Sequence, residues 1–318
     1  MRALNIAAIL LFFAFSSLAQ AGEFGDHCTT SLAAGLLVKS DCSQNTVIDG
    51  KTYCFGSAAS KMAFDKADNK QEIIAKAAAF YAKNAETERV KISQADAVKE
   101  IQSKSCDLSN KDLGYLEMDG MDLRHCKMVN TSFFGAYLRG ANLSGANMQR
   151  AYLNLARLEN ANLSGADLTD AIIFQAIFDN TNFKGANLTN ARVIGTLGKV
   201  DMSGATIRNG RFGLDVGNQP MGQMKFDSTG GNFANTNFEG ADLNIAAFSF
   251  ANLTGANLRN TNMHRADLNQ ADLTGADVTG ANMTDAEVDG ATFKDVKGLD
   301  TVKGWGSVKG KCRDCAVK

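Results

Sequence analysis

Residues 136–170 read AYLRGANLSGANMQRAYLNLARLENANLSGADLTD, a sequence that repeats every five residues. Each unit holds a small residue, usually Ala, then Asn or Asp, then a large apolar residue, which we call the centre, and finally two polar or small residues. The pattern fills residues 106–195 with eighteen units and returns over residues 231–295 with thirteen. This period of five decides the fold.

Regular secondary structure cannot bury such a pattern. On an α-helix each residue turns by about 100°, so successive centres would point in all directions around the axis. On a flat strand the side chains alternate with period two, so every second centre would face water. The chain must therefore turn a corner once per unit, with the small residue and the centre inward and the other three residues outward. Four corners close a coil of twenty residues, and stacked coils lie about 4.8 Å apart.

This repeat resembles the pentapeptide-repeat family, whose members form a right-handed quadrilateral β-helix. The resemblance covers residues 106–295 and implies the handedness and the square cross-section. Self-similarity at a fixed period is typical of solenoids, in which each unit contacts only its neighbours. We therefore expect a mainly β protein, with a small α+β domain before the solenoid.

The N-terminus carries the features of a secretory signal peptide over residues 1–21. Arg2 supplies the positive charge, residues 6–18 are an apolar run, and Ala19-Gln20-Ala21 is a small-x-small cleavage site. The alternative is an uncleaved anchor, but the apolar run is short for a membrane span. The prediction is a periplasmic or secreted protein, cut after Ala21 and not inserted in a membrane after cleavage.

Residues 22–92 are predicted to form the small α+β domain. Residues 46–53 suit a β-hairpin because Asp49-Gly50 favours a tight type I′ turn. Residues 68–84 have the apolar stripe of a helix. Residues 93–105 predict a second helix, with Ser93 as its N-cap, that covers the open end of the first coil.

Residues 28–84 also resemble the YHS domain, through IDGKTYCF at 48–55 and AFDK at 63–66. The resemblance implies a short hairpin packed with helices. Some members of that family bind metal through cysteines that follow the Tyr-x-Phe. Gly56 and Ser60 stand at those places here, so the thiolate ligands of such a site are missing.

Two further segments depart from the period. Residues 196–230 contain an imperfect coil and an irregular insertion, and we expect a protruding loop around Pro220. Met221 and Met224 in this loop could offer thioethers to Cu(I), although ordinary loop residues are the favoured interpretation. Residues 296–318 form a C-terminal cap or tail, in which Trp305 covers the last coil.

The seven cysteines suggest disulfides if the chain is exported. Cys312 and Cys315 are predicted to form a local disulfide. Cys106 and Cys126 are twenty residues apart and thus share one inward position on adjacent coils. Neighbouring parallel side chains point the same way, so we favour unpaired small residues over a bridge. The N-terminal domain contains three cysteines: Cys28, Cys42 and Cys54. Because three is an odd number, one of these thiols stays unpaired unless it pairs outside the domain.

The outer surface of the predicted coils carries an unusual apolar patch, because residues twenty apart stack on one face. We call Phe134, Tyr152, Ile172 and Phe174 the outer stripe. An apolar patch of several hundred square ångströms is rare on a free monomer. The chain itself could cover the patch with its N-terminal domain or with residues 196–230, or a partner could. The apolar residues predicted to extend the patch are Tyr137, Leu155, Ile177 and Ile194.

Catalytic chemistry has no visible basis in this sequence. His27, His125 and His264 do not have the spacing of a metal triad, and the net charge of -1 excludes a strongly basic nucleic-acid footprint. We predict an exported, non-enzymatic scaffold or protein–protein interaction protein without a cofactor, metal site or nucleic-acid partner. Its partner is an unknown protein or a second copy. The alternative hypothesis is a periplasmic metal- or redox-linked binding module that uses the YHS-like domain and its cysteines.

Overall fold

The computed structural model describes residues 23–24, 27–36, 38, 40, 42–84, 89–213 and 225–315. The predicted signal peptide and the loop that holds Pro220, Met221 and Met224 lie outside the described residues. Contacts divide the chain into two compact units, Met1–Thr87 and Glu88–Lys318. Within the described part of the chain, no helix combines the length and the apolar character needed to cross a membrane.

The first unit is a hairpin with helices. The hairpin strands pair antiparallel with Ile48 opposite Lys51. Asp49 and Gly50 between them both have positive φ, 50° and 76°, as a type I′ turn requires. A small core is buried around Phe55. The elements are α1 (Thr29–Ala33), β1 (Gln44–Ile48), β2 (Lys51–Phe55), α2 (Ala58–Lys66) and α3 (Lys70–Asn84).

A short helix closes the first coil of the second unit. The helix α4 (Gln94–Ile101) starts after Ser93, whose side chain accepts a hydrogen bond from the backbone N–H of Asp96. Its Ala97 and Ile101 are buried in the same apolar cluster as the solenoid core. This contact packs α4 against the end of the core and keeps water away from it.

The second unit is a solenoid held by parallel pairing between successive coils. Ser132, Tyr152, Ile172 and Arg192, each twenty residues after the last, form one continuous ladder. Each side of a coil pairs over so few residues that regular strands are short. The predicted twenty-residue coil and its register are confirmed. The named strands are β3 (Val90–Lys91), β4 (Lys111–Asp112), β5 (Ile172–Phe174), β6 (Arg192–Thr196) and β7 (Phe226–Asp227).

Small residues and centres fill the interior, as the spacing predicts. In the unit 161–165, Ala161 and Leu163 are buried and Gly165 is exposed. The Leu163 backbone N–H donates to the Asn182 carbonyl of the next coil at 2.7 Å. Where Thr181 replaces the inward Ala, its hydroxyl donates to the Leu158 carbonyl at 2.7 Å, which satisfies the buried polar group.

The polar residue before each centre stabilises the corner. The Asn162 side-chain oxygen accepts from the Ser164 backbone N–H at 3.1 Å and from the Asn182 amide at 3.2 Å. The last residue of the unit then adopts a left-handed conformation, with φ 60° at Asn160 and 67° at Gly165. Gly and Asn tolerate this conformation better than other residues. The outward Asn and Asp residues therefore have a structural role.

The imperfect coil after residue 196 retains the buried core. Asn182 pairs with Asp201 after 19 residues, so one residue is missing, and Asp201 pairs with Asn232 after 31. Met202, Ile207 and Phe212 are nevertheless buried. The shifted coil therefore keeps its centres inside, and residues 214–224 of the longer interval lie outside the described residues.

The C-terminal segment is a last, wider coil. Asn282 pairs with Lys303 after 21 residues and Glu287 with Lys309 after 22. The ring of Trp305 packs edge-on against Phe293, with centroids 5.4 Å apart. The ladder therefore continues beyond the repeat proper. Two 3-10 turns take up the additional residues: Leu299–Thr301 and Trp305–Ser307.

The inward and outward positions can be distinguished by a pair of substitutions. Leu163→Asp places a charge in a fully buried site, and even Leu→Ala at such sites costs about 2–5 kcal/mol. We expect Leu163→Asp to unfold the solenoid, whereas Ser164→Asp, one residue further and facing outward, keeps the wild-type melting temperature within a few degrees. Equal melting temperatures for the two variants, measured by circular dichroism, would refute the inward assignment.

Candidate functional site

The outer stripe lies on one face of the solenoid. The ladder places Tyr152 next to Ile172, with Phe134 on the coil before Tyr152 and Phe174 on the same coil as Ile172. The rings of Phe134 and Tyr152 stack with centroids 6.1 Å apart and planes inclined by 17°. All four side chains are half-buried. The packing between coils thus produces a continuous aromatic and aliphatic strip.

Tyr115 extends this strip by one coil, although the sequence analysis did not include it. Its ring packs edge-on against Phe134, with centroids 5.4 Å apart, and 65% of the residue is exposed. The ring also lies over Gly135, where a Cβ atom would come within 2.7 Å of it. The sequence could have revealed this position of Tyr115, because Tyr115, Gly135 and Leu155 follow one another at intervals of twenty residues and so stack in one column.

Two corner residues beside the outer stripe are strained and exposed. Tyr115 has φ 62° and Leu155 has φ 59°, in the column where Gly135 has φ 61°. The left-handed conformation costs a side-chain-bearing residue about 1–2 kcal/mol. Leu155 leaves 43% of its surface exposed, so burial offsets little of this cost. Neither side chain is needed by the core.

The segment that leads into the solenoid partly covers the outer stripe. The strand β3 pairs in parallel with β4 of the first coil. The Arg89 guanidinium beside it lies 5.4 Å from the centre of the Tyr152 ring. It also donates to the carbonyl and side-chain oxygens of Asn130, at 2.9 and 3.1 Å. Burial lowers the pKa of Arg89 and raises the pKa of Tyr152. Sequence reasoning missed this contact.

The next face adds Tyr137, which lies between two arginines. The guanidinium carbons of Arg139 and Arg157 are 5.3 and 6.0 Å from its ring centre. These arginines also pair with carboxylates, at 2.7 Å to Asp119 and 2.9 Å to Glu159. Because these ion pairs fix the two guanidinium groups, both stay close to the half-buried Tyr137 ring.

Ile177 and Ile194 differ in their accessibility. Ile177, on the same face as Tyr137, exposes 40% of its surface. Ile194 exposes 3%, so the prediction that it offers an outward contact surface is wrong. Arg192 in the same strand is also buried, and its pKa is lowered by burial and by the charge of Arg211. The accessible apolar patch therefore ends at the coil of Ile172 and Phe174, one coil earlier than expected.

An open groove of about 390 Å³ lies beside Ile177. Gln175 and Thr196 contribute polar groups to its lining, and Lys225 and Asp227 contribute opposite charges. The groove is large enough to receive a side chain or two from another protein. Its position extends the accessible surface of this side of the solenoid.

The cysteines form three disulfides. Cys312–Cys315 forms a local loop in the C-terminal segment, with Cα atoms 5.8 Å apart. Cys106 and Cys126 are also bridged, with Cα atoms 4.6 Å apart, so the preference for unpaired residues at this position is wrong. The stacking of coils alone brings the two Cα atoms within the range of a disulfide. The third bridge is Cys42–Cys54.

Cys28 in the first unit is a buried free thiol. It forms a β-bridge with Cys54, one of the two cysteines of the neighbouring disulfide. Burial by itself would raise the pKa of this thiol, but hydrogen bonds to Ser31, Thr30 and the Gly56 backbone outweigh it and lower the pKa. The predicted unpaired cysteine of this unit is thus Cys28.

One group of metal-ligand side chains occurs among the residues that the structure describes. It consists of Cys106, His125 and Cys126, whose ligand atoms all lie within 4.8 Å of one another. The two sulfur atoms are joined in the disulfide. The search for histidine triads in the sequence could not reveal this group, because it holds only one histidine.

Comparison with known families identifies the repeat. Residues 136–173, 174–209, 229–260, 246–285 and 261–297 match the family described as pentapeptide repeats, in eight copies. The matched segments coincide with the coils before and after the irregular insertion. No curated protein matches the sequence.

Several solved structures are similar to this chain. A pentapeptide-repeat protein involved in heterocyst differentiation in the cyanobacterium Nostoc is 22% identical, with a TM-score of 0.42 over 72% of this chain and 100% of that one. A plasmid-mediated fluoroquinolone resistance protein is 15% identical, with a TM-score of 0.38 over 61% and 91%. A thylakoid-lumen protein of Arabidopsis thaliana is 30% identical, with a TM-score of 0.22 over 30% and 56%.

The strain at Leu155 predicts an unusual effect on stability. Leu155→Asn should leave the free energy of unfolding unchanged or raise it by about 0.5–1 kcal/mol, because Asn tolerates the left-handed corner. Leu155→Ala is the control, since it removes the same apolar group but lacks the short polar side chain with which Asn hydrogen-bonds locally in the left-handed conformation. Urea titration measures both variants. A loss of stability in Leu155→Asn equal to that in Leu155→Ala would contradict the strain at this corner.

Proposed function

We propose that this chain, whose residues 136–209 and 229–297 match the pentapeptide-repeat family, is a non-enzymatic scaffold that binds another protein through the outer stripe. The solenoid presents a rigid surface, since each coil is bonded to the coils on both sides. A rigid surface loses little conformational entropy on binding, which favours recognition. The binding surface comprises the outer stripe with Tyr115, Tyr137, Leu155 and Ile177.

The clustering of Tyr115 and Leu155 beside the outer stripe carries this proposal, because an exposed left-handed corner alone also occurs at Phe250. Tyr115 and Leu155 adopt the left-handed backbone at exposed corners where Gly or Asn would fit without strain. Their side chains gain energy only when another molecule covers them. Together with the outer stripe they form one apolar surface that another protein could cover.

The charges around the outer stripe indicate the chemistry of the partner. Arg89 lies over Tyr152, and Arg211 is exposed on the coil next to Arg192. In a symmetric contact between two copies, the same arginines would face one another across the interface. A different protein that presents apolar side chains together with carboxylates fits this surface better.

A photo-crosslinking residue at position 155 tests the proposed surface in cells that produce the protein. Phe250 supplies the matched control, because it is also an exposed corner residue, with φ 59° and 66% of its surface accessible. We expect one reproducible heterologous product from position 155 and none from position 250. The product should disappear in Phe174→Asp, which alters the outer stripe but not the core.

Three outcomes of this experiment would reject the proposal. Equal products from positions 155 and 250 would indicate non-specific contact. A product with twice the mass of the chain would show self-association. Persistence of the product in Phe174→Asp, in a protein with wild-type circular dichroism, would place the binding surface elsewhere.

The site of action is part of the proposal. The signal-like residues 1–21 favour export to the periplasm or the exterior, where disulfides such as Cys312–Cys315 persist. The mature protein should begin at Gly22 and fractionate outside the cytoplasm. Intact mass spectrometry of the protein from fractionated cells checks this, and a full-length cytoplasmic product would contradict it.

The identity of the first unit is also proposed. Its antiparallel hairpin followed by two helices supports the resemblance of residues 28–84 to the YHS domain. Gly56 and Ser60 occupy the places of the expected metal-binding cysteines, so this unit is proposed as a YHS-like domain without the metal. Metal analysis of the purified chain with its disulfides intact tests the assignment, and stoichiometric metal would overturn it.

A further inference from the structure

Three departures from the repeat meet at one point of the solenoid. The inward small position of one column holds Ala at 146 and 166, but Cys106 and Cys126 in the first two coils. The corner before it holds glycine at 145, 165 and 185, but His125 in the second coil. The repeat does not need these side chains, because Ala and Gly serve the same positions in the coils that follow.

The geometry brings their ligand atoms together beneath α4. The Cα atoms of Cys106 and Cys126 are 4.6 Å apart. Cys126 Sγ lies 4.0 Å from His125 Nε2, which is 2.9 Å from the Ile101 carbonyl. Both cysteines are buried, whereas His125 is exposed, so the imidazole provides the contact with solvent.

We propose that Cys106, Cys126 and His125 form a redox-controlled metal site, which binds one Zn(II) or Cu(I) ion when the disulfide is reduced. Two thiolates and an imidazole are the ligands that both closed-shell ions prefer. Around zinc, sulfur lies at about 2.3 Å and nitrogen at about 2.0–2.1 Å, so at the tetrahedral angle the two ligand atoms are about 3.6 Å apart. Cys126 Sγ and His125 Nε2 lie 4.0 Å apart, so a side-chain shift of a few tenths of an ångström would bring both to the ion.

Opening the site requires a dithiol reductant. One thiolate of the dithiol attacks a sulfur of the Cys106–Cys126 bridge, and its second thiol then releases the mixed disulfide. The protein gains two thiols while the dithiol becomes a disulfide. Binding of the ion then displaces the two thiol protons. Because the same sulfur atoms serve the bridge and the ion, the two states exclude each other.

The proposed site also changes the end of the solenoid. His125 Nε2 must leave the Ile101 carbonyl to reach the ion, and Ile101 is the last residue of α4. The carbonyl oxygen can then face water or the ion. Metal binding is therefore coupled to the cap of the first coil, independently of the outer stripe and of any partner there.

Metal titration of the reduced full chain tests the proposal. The chain is reduced with a dithiol, freed of reductant without oxygen, and titrated with Zn(II) or Cu(I) against a chromophoric chelator for each. Because Cys28 and the other cysteines can also bind, the readout is the difference between variants. Cys126→Ala and Cys106→Ala restore the Ala of later coils, so both should fold. His264→Ala, a histidine elsewhere on the solenoid, is the matched control.

Reduced wild-type protein should bind one more ion than reduced Cys126→Ala or Cys106→Ala. His125→Ala should weaken the binding of this ion at least tenfold, and His264→Ala should leave it unchanged. The oxidised protein should lack this ion. Cobalt(II) should show thiolate charge-transfer absorption in the reduced wild type that is lost in both cysteine variants.

The proposal fails if reduced wild type and both cysteine variants bind equal numbers of ions. It also fails if the oxidised protein binds as many ions as the reduced one. Unchanged affinity in His125→Ala would remove the imidazole from the site. The zinc and copper titrations together decide which ion the site prefers, since tighter binding in one identifies it.

Discussion

The fold depends on one backbone constraint, a left-handed residue at nearly every fifth position. This residue turns the chain through a corner, so that the small residue and the centre of the next unit again point inward. Without it the five-residue period would bring centres out into water. The constraint explains why Gly and Asn dominate the corners and why the Asn or Asp before each centre is bonded to backbone beyond it. The same constraint makes Tyr115, Leu155 and Phe250 conspicuous, because they accept the strained conformation without the protection of burial.

Most of the solenoid could be predicted from its sequence because the five-residue period determines which side chains point inward and which point outward. Once the unit 161–165 has Ala161 and Leu163 inside, a coil of twenty residues fixes which residues stack. That register placed Phe134, Tyr152 and Phe174 on one face, and the structure reproduces it. The one-residue shift at Met202 could also be predicted from the sequence, because Met202, Ile207 and Phe212 keep the five-residue spacing of centres after the shift.

The remaining features depend on contacts that leave no periodic signal. The two residues of β3 are too few to show alternation, so the position of Arg89 over Tyr152 could not be predicted. The burial of Ile194 depends on what lies over its strand, which a column of residues cannot reveal. The parallel direction of their side chains argued against a disulfide between Cys106 and Cys126. The coil spacing nevertheless brings the two cysteines close enough to form one.

The positions of the disulfides have a consequence for how the solenoid comes apart. In a linear array each coil is supported only by its neighbours, so fraying normally begins at the two ends. Cys106–Cys126 joins the first two coils, whereas Cys312–Cys315 links residues only three apart and does not tie the last coil to the one before it. Oxidation therefore fastens the N-terminal end of the array and leaves the C-terminal end free to fray. The oxidised solenoid would thus unzip in one direction only, from its last coil towards its first.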